Sequence, residues 1–293
     1  LKASFGGGGK GMRIVENEND LEESFMSCQR EAEAAFGNGD IFVEQYITSP
    51  QHIEVQILAD SKGNIVHLFE RDCSVQLRNQ KVMEIAPAPN LSEEIRANML
   101  QDAIKVAEAA NYVNAGTVEF LYSPESKQYF FIEVNPRIQV EHTVTELITG
   151  HNLVELGIRV AQGESLPLAQ EDITWNGHSI QCRLNAEDPR EFIPSPGRLW
   201  ECHFPSGFGV RVDTHAHPGY EMPGSFDSLL AKLLVWGRDR EDAIRRMRTA
   251  LDETVITGVE HLIPLHRRIM DETDFINGDI TIQYIDMHQE LLG

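Results

Sequence analysis

Between Glu133 and His142 the chain reads EVNPRIQVEH, with Glu133, Asn135, Arg137, Gln139 and Glu141 at every second position. In an extended backbone alternate side chains share a face. The segment is therefore expected to present two carboxylates, a guanidinium and two amides together, with Val134, Ile138 and Val140 on the other side. A guanidinium fork suits a small planar oxyanion, and Glu141 at the end of the row suits a general base. His142 is expected to point away and to be structural. Upstream, Glu119 sits in the apolar run TVEFL. A hairpin would set it across from Glu133, giving two hard oxygen ligands suited to Mg²⁺ shared with nucleotide phosphates. Asn135 could join that metal or a phosphate. An ordinary solvated sheet face is the alternative.

Other stretches carry chemistry of the same kind. In KASFGGGGKGMR the glycines, among them Gly7, Gly8 and Gly9, let backbone N–H groups approach phosphate oxygens, and Lys2, Lys10 and Arg13 add charge. No GKS or GKT follows, so this is not a P-loop; a phosphate lid or a flexible hinge fits. Arg71, Gln76, Arg78 and Lys81 form a dense polar cluster, which reads equally as a solvated turn or as anchors with Lys81 adding charge to the anion site. Cys73 reads as a packed thiol. Glu44, after the strand-like IFV, suits a hydrogen bond to a nucleotide base or ribose. Arg183, in QCRLNAEDP, would ordinarily pair with Glu187 or Asp188. His52, His203, His215 and His217 show no metal-ligand pattern, and Trp175, Trp200 and Trp236 read as core or edge packing.

The elements that must position these groups are legible from periodicity and punctuation. A helix is expected from Asp20, as its cap, to Gly37, with Leu21, Phe25, Cys28, Ala32 and Ala35 on one stripe. Strands are expected at 41–47, 52–59 and 65–71, the last two joined by the turn at 60–64. Ser92 opens a second helix bearing Ile95, Met99, Ala103, Val106 and Ala110. Residues 117–121 and 129–134 form a hairpin, and 143–162 is helical with a break at Gly150. After about residue 172 the pattern changes to strands at 179–186 and 229–236 and a helix capped by Asp239, so the sequence predicts domains at 1–172 and 173–293, the second of α+β type.

The 293 residues allow one large or two medium domains. With 25 basic and 46 acidic residues the formal charge is -21, which argues against a general nucleic-acid or anionic-membrane binder. No apolar run reaches 18 residues, so no membrane insertion is expected, and no signal peptide is evident. Cys28, Cys73, Cys182 and Cys202 form no CxxC pair and read as reduced thiols of a cytoplasmic protein or of one with a mitochondrial parent. The first residue is Leu1 and the glycine-rich loop follows almost at once, so the chain is expected to be the later part of a larger protein.

Taken together, KASFGGGGKGMR, HIEVQIL, FERDCSVQ, GTVEFL, FIEVNPRIQVEHTVTE and CRLNAEDP resemble the biotin carboxylase component of biotin-dependent carboxylases, over essentially the whole chain. The resemblance implies an α+β chain: an ATP-grasp core with a mobile glycine-rich lid, followed by the family's C-terminal α+β domain, with the family's first domain and the opening of the ATP-grasp region absent. It implies ATP-dependent carboxylation of biotin by bicarbonate through carboxyphosphate. ATP, Mg²⁺ or Mn²⁺, bicarbonate and carrier-linked biotin are the expected cofactors and substrates. The expected partners are a biotin carboxyl carrier protein or domain, a carboxyltransferase component and a second copy in a homodimer. By resemblance Lys2 and the loop 6–11 close over ATP, Glu44 approaches adenine, and His52 and Gln76 help to hold the nucleotide. Glu119, Glu133 and Asn135 match the metal site. Lys81, Arg137, Gln139 and the Val140 backbone match the bicarbonate site, Glu141 the base, and Arg183 the arginine that stabilises the biotin enolate.

Three positions depart from the family. Asn79 stands where a histidine lies near the ribose, Leu77 where an arginine is usual, and Ile85 where a glutamate is common. They imply altered nucleotide contacts or packing, and the absent N-terminal portion implies a weak or inactive isolated fragment. The turn PSPG, Pro194 to Gly197, favours an acyl-CoA carboxylase, as in fatty acid biosynthesis. Two other readings remain: another ATP-grasp carboxylate–amine ligase, or a catalytically silent component that docks a carrier.

Overall fold

A computed structural model describes residues 1–6 and 10–293. The lid glycines Gly7, Gly8 and Gly9 lie outside the described residues. The chain divides into two compact units, Leu1–Ser49 with Arg78–Gln80, and Pro50–Leu77 with Lys81–Gly293.

In the first unit Lys2–Ala3 pairs antiparallel with Ile41–Phe42, so the strand expected over 41–47 is reduced to two residues. Helix α1, Leu21–Phe36, buries Cys28 and Ala32, and the Cys28 thiol donates to the Gly11 carbonyl at 3.0 Å. Asp20 makes no side-chain cap. A short 3₁₀ turn, Glu18–Asp20, precedes the helix, and its cap is Asn17.

The second unit is built on an eight-stranded sheet. Its strands are β1 (Gln51–Ala59), β2 (Ile65–Leu77), β3 (Gln80–Ala86), β4 (Asn114–Ser123), β5 (Gln128–Asn135), β6 (His178–Asn185), β7 (Val210–Thr214) and β8 (Leu229–Gly237). Their order across the sheet is β7-β8-β6-β3-β2-β1-β4-β5. β1 runs antiparallel to β2 and β4, β4 to β5, β6 to β3 and β8, and β8 to β7. The strands from beyond residue 172 thus join the same sheet as those before it.

Alternation along the strands separates core from site. Ile53, Val55 and Ile57 of β1 and Val118, Phe120 and Tyr122 of β4 pack with helix α2, Glu93–Ala109, through Met99, Leu100 and Ala103. Ile180, Cys182 and Leu184 of β6 and Leu233 and Val235 of β8 pack with helices α5, Arg240–Glu253, and α6, Ile263–Asp271. Each fully buried aliphatic side chain of this kind contributes about 1.5–3 kcal/mol. The intervening residues His52, Glu54 and Gln56, Thr117 and Glu119, Gln181 and Arg183, and Lys232 belong to the other parity. Helix α3, His142–Thr149, packs Val144 and Ile148 against Ala86 and Leu234. Helix α4, Leu153–Ala161, follows after Gly150, whose left-handed backbone (φ 75°) ends α3. No helix among the described residues is long and apolar enough to cross a membrane.

Candidate active site

Arg71 lies at the bottom of the polar cluster and is fully buried. It is directly across from Glu54, which is in turn across from Glu119, which is across from Glu133. Register alone therefore lines these four on one face of β2, β1, β4 and β5. The Arg71 guanidinium donates to Glu54 at 2.5 Å, Gln56 at 2.7 Å, Thr145 at 2.9 Å, Thr117 at 3.2 Å and Gln139 at 3.3 Å. Burial alone would raise the Glu54 pKa, but Arg71 and then Lys81 outweigh it and hold the carboxyl at about 2. Of the two readings of 71–82, the solvated turn does not hold for most of the segment: β2 continues to Leu77, and only Arg78 and Asn79 form the turn.

Above this base Lys81 joins three carboxylates. Its Nζ donates to Glu54 at 2.6 Å, Glu119 at 2.9 Å and Glu141 at 2.7 Å. Burial favours loss of the Lys81 proton, yet Glu54, Glu141 and Glu119 outweigh it and raise the pKa well above the ordinary lysine value. The other oxygen of Glu141 accepts from Arg183 Nη2 at 3.0 Å, and Arg183 Nε donates to the fully buried Glu84 at 2.6 Å. The expected pairing of Arg183 with Glu187 or Asp188 is thus replaced by Glu84 and Glu141. Glu187 instead accepts from Ser228 and Asn185.

Gln139 donates to Glu119 at 3.1 Å. His52 Nε2 lies 3.1 Å from the second oxygen of Glu119. The Gln76 amide donates to the Cys73 carbonyl at 2.7 Å and lies 2.8 Å from His52 Nδ1. An amide N–H can only donate, so His52 Nδ1 is the acceptor in that contact. Burial raises the Glu119 pKa, but His52 and Lys81 reverse this and hold it far below the usual range. Burial pushes the Cys73 thiol pKa well up, as suits a packed thiol.

The extended row from Glu133 to Glu141 is corrected. β5 ends at Asn135, because Pro136 has no N–H for the ladder, and the Arg137 N–H turns back to the Asn135 carbonyl at 2.9 Å. Gln139 reaches the cluster from the loop, and Glu141 from the position just before α3. Arg137 is exposed and donates to the Ile138 carbonyl at 3.3 Å, outside the buried cluster. Glu133 is also exposed, 3.5 Å from Asn135 Nδ2. The Val140 carbonyl accepts from Lys232 Nζ at 3.1 Å. His142 stays out, its Nδ1 2.6 Å from the Gln139 carbonyl.

In the first unit Glu44 is exposed and lies 3.5 Å from Lys2 Nζ. Arg78 and Asn79 have φ of 51° and 63°, the two-residue hairpin turn in which asparagine is favoured over most side chains. Leu77 and Ile85 are buried in the core. Trp200 is corrected from packed to exposed, stacked by Arg198 at 5.2 Å. Sequence reading missed Glu54, Glu84 and Lys232. The alternation of His52, Glu54 and Gln56 between apolar residues was the available signal for Glu54.

A sheet face bearing interlocked carboxylates, lysine and arginine, in a chain that also carries a glycine-rich segment, is an arrangement suited to handling phosphate and a small anion. The model of the Carbamoyl-phosphate synthase L chain, ATP binding domain, matches residues 1–169, and that of the Biotin carboxylase C-terminal domain matches residues 181–287. Biotin carboxylase of Haemophilus influenzae is 49% identical over 98% of this chain and 63% of its own length. The biotin carboxylase domain dimer of Hydrogenobacter thermophilus 2-oxoglutarate carboxylase, solved with MgADP, ADP and bicarbonate, superposes with a TM-score of 0.95 at 47% identity, over 100% of this chain and 64% of that one. The Campylobacter jejuni biotin carboxylase–β,γ-ATP complex gives 0.95 at 46%, over 98% and 64%. This chain belongs to the biotin carboxylase family of the ATP-grasp superfamily. It spans 63% of the length of the Haemophilus relative.

Proposed function

We propose that the protein carboxylates biotin with bicarbonate at the expense of ATP, the first half-reaction of a biotin-dependent carboxylase. The carrying observation is Glu141 held between Lys81 and Arg183, one cation on each oxygen. Bicarbonate is a weak nucleophile. Cations beside it orient it and favour its deprotonated form, and Lys81, Arg137, Gln139 and the Val140 backbone are assigned as its contacts. Glu141 takes the bicarbonate proton. Attack on the γ-phosphorus forms carboxyphosphate with departure of ADP. Its breakdown releases carbon dioxide and phosphate; the released phosphate takes the biotin N1′ proton, and N1′ then bonds the carbon of the carbon dioxide. The developing enolate charge falls beside Arg183. His52 and Gln76 hold the nucleotide, with Lys2, the loop 6–11, Glu44 and Asn79 as its further contacts.

Glu119 and Glu133 face each other across β4 and β5 with Asn135 beside them, a hard-oxygen set that fits Mg²⁺ or Mn²⁺. When bound, such an ion neutralises phosphate charge. The nucleotide, magnesium and bicarbonate in the Hydrogenobacter structure, and the β,γ-ATP in the Campylobacter one, support these assignments. We further assign a biotin carboxyl carrier and a carboxyltransferase as partners, a homodimer as the assembly, a cytoplasmic setting, and residues 1–172 and 173–293 as the two family modules.

The test is bicarbonate-dependent ATP hydrolysis by the intact protein, with and without free biotin, beside Glu141→Gln. Biotin-stimulated turnover that falls by about 10²–10⁴-fold in the variant is expected for loss of a general base. MgATP binding without bicarbonate-dependent turnover would defeat the assignment and favour a ligase with another acceptor or a catalytically silent component that docks a carrier.

A further inference from the structure

Glu84 lies outside the residues assigned above, yet it makes the shortest contact to Arg183. It is fully buried, as are Gln181 and Thr143. One oxygen accepts from Arg183 Nε at 2.6 Å and the other from Gln181 Nε2 at 2.8 Å. The Gln181 carbonyl in turn accepts from Thr143 Oγ1, in the first turn of α3. Glu84 stands directly across from Gln181 on the neighbouring strand, so sheet register delivers its carboxylate to the face that carries Arg183. Both oxygens are occupied and both partners are themselves anchored.

A guanidinium bonded through Nε keeps its Nη groups for other partners, and its planar fork is fixed in direction. Nη2 of Arg183 reaches Glu141 at 3.0 Å. When Glu141 takes up a proton its hold on Arg183 weakens, whereas the bond from Arg183 Nε to Glu84 is a separate one. The chain Glu84–Gln181–Thr143 ties the Arg183 support to the first turn of α3.

Resting on the functional reading above, we infer that Glu84 is a positioning residue that fixes the Arg183 fork for the biotin step. It touches neither nucleotide nor bicarbonate contacts, so its removal acts on turnover rather than on binding of those substrates. A misaimed group of this kind costs about 10–100-fold in rate.

The experiment measures biotin carboxylation by the intact protein in wild type, Glu84→Gln, Arg183→Lys and the double variant, with thermal melts to check folding. Expected for Glu84→Gln is a fall in kcat of about 10–100-fold, with KM for MgATP and bicarbonate moving less than about twofold. In the Arg183→Lys background the same change should add little. Equal losses with and without Arg183, or a loss confined to KM for ATP, would overturn the inference. Should Glu84→Gln fail to fold, Gln181→Met removes the support of Glu84 while leaving its charge, and the same kcat loss at unchanged KM is required of it. A wild-type protein without bicarbonate-dependent turnover defeats the functional reading itself. Wild-type turnover with an unaffected Glu84→Gln variant defeats the positioning role alone.

Discussion

At the scale of the residue, Arg71 shows why a buried charge is tolerated. Its five acceptors come from β1, β4, the 139 loop and α3, so the guanidinium is satisfied without water. Arg71→Met would leave Glu54 in the interior with only Lys81 as counter-charge, and removing one member of such a pair costs about 3–5 kcal/mol. Urea unfolding should show that loss, and a variant within about 1 kcal/mol of wild type would mean that Lys81 alone sustains Glu54. Arg71→Lys should recover little, since an ammonium has too few donors and the wrong geometry for five partners.

At the scale of the element, the β2–β3 hairpin turns on Arg78 and Asn79, both with positive φ. Asn79→Gly should be close to neutral. Asn79→Val should cost about 1–2 kcal/mol, because a β-branched side chain clashes in the left-handed region; denaturant midpoints of the two variants decide it. The same strands show what was legible in sequence. The hairpin of β4 and β5 followed from alternation, and α2 and α5 from the Ser92 and Asp239 caps, which accept from Ile95 and Asp242. The path from Glu133 to Glu141 was not legible, because a period of two looks the same on either side of Pro136. Glu141 reaches the cluster through a turn whose direction is set by packing of α3. Glu84 and Lys232 were invisible for another reason: their partners lie far away in sequence, so only sheet register brings them together.

At the scale of the whole molecule, the sheet disregards the change of sequence pattern near residue 172. β6 pairs with β3, and Val75, Leu77, Val82, Met83 and Ile85 share one core with Ile180, Leu184, Leu233 and Met247. Residues 1–172 and 173–293 produced separately should therefore each lack cooperative unfolding, since separation exposes strand edges and divides that core. A sharp, independent transition in either piece would contradict this. The junction also explains how Arg183 and Lys232, from the later half, come to meet Glu141 and Val140 from the earlier one. Lys81 carries only three N–H bonds, and three carboxylates already hold them. An anion arriving there must displace one of them, so its entry is an exchange of partners. Whatever draws Glu119 away makes that exchange easier, and by thermodynamic reciprocity the bound anion loosens Glu119 by the same factor.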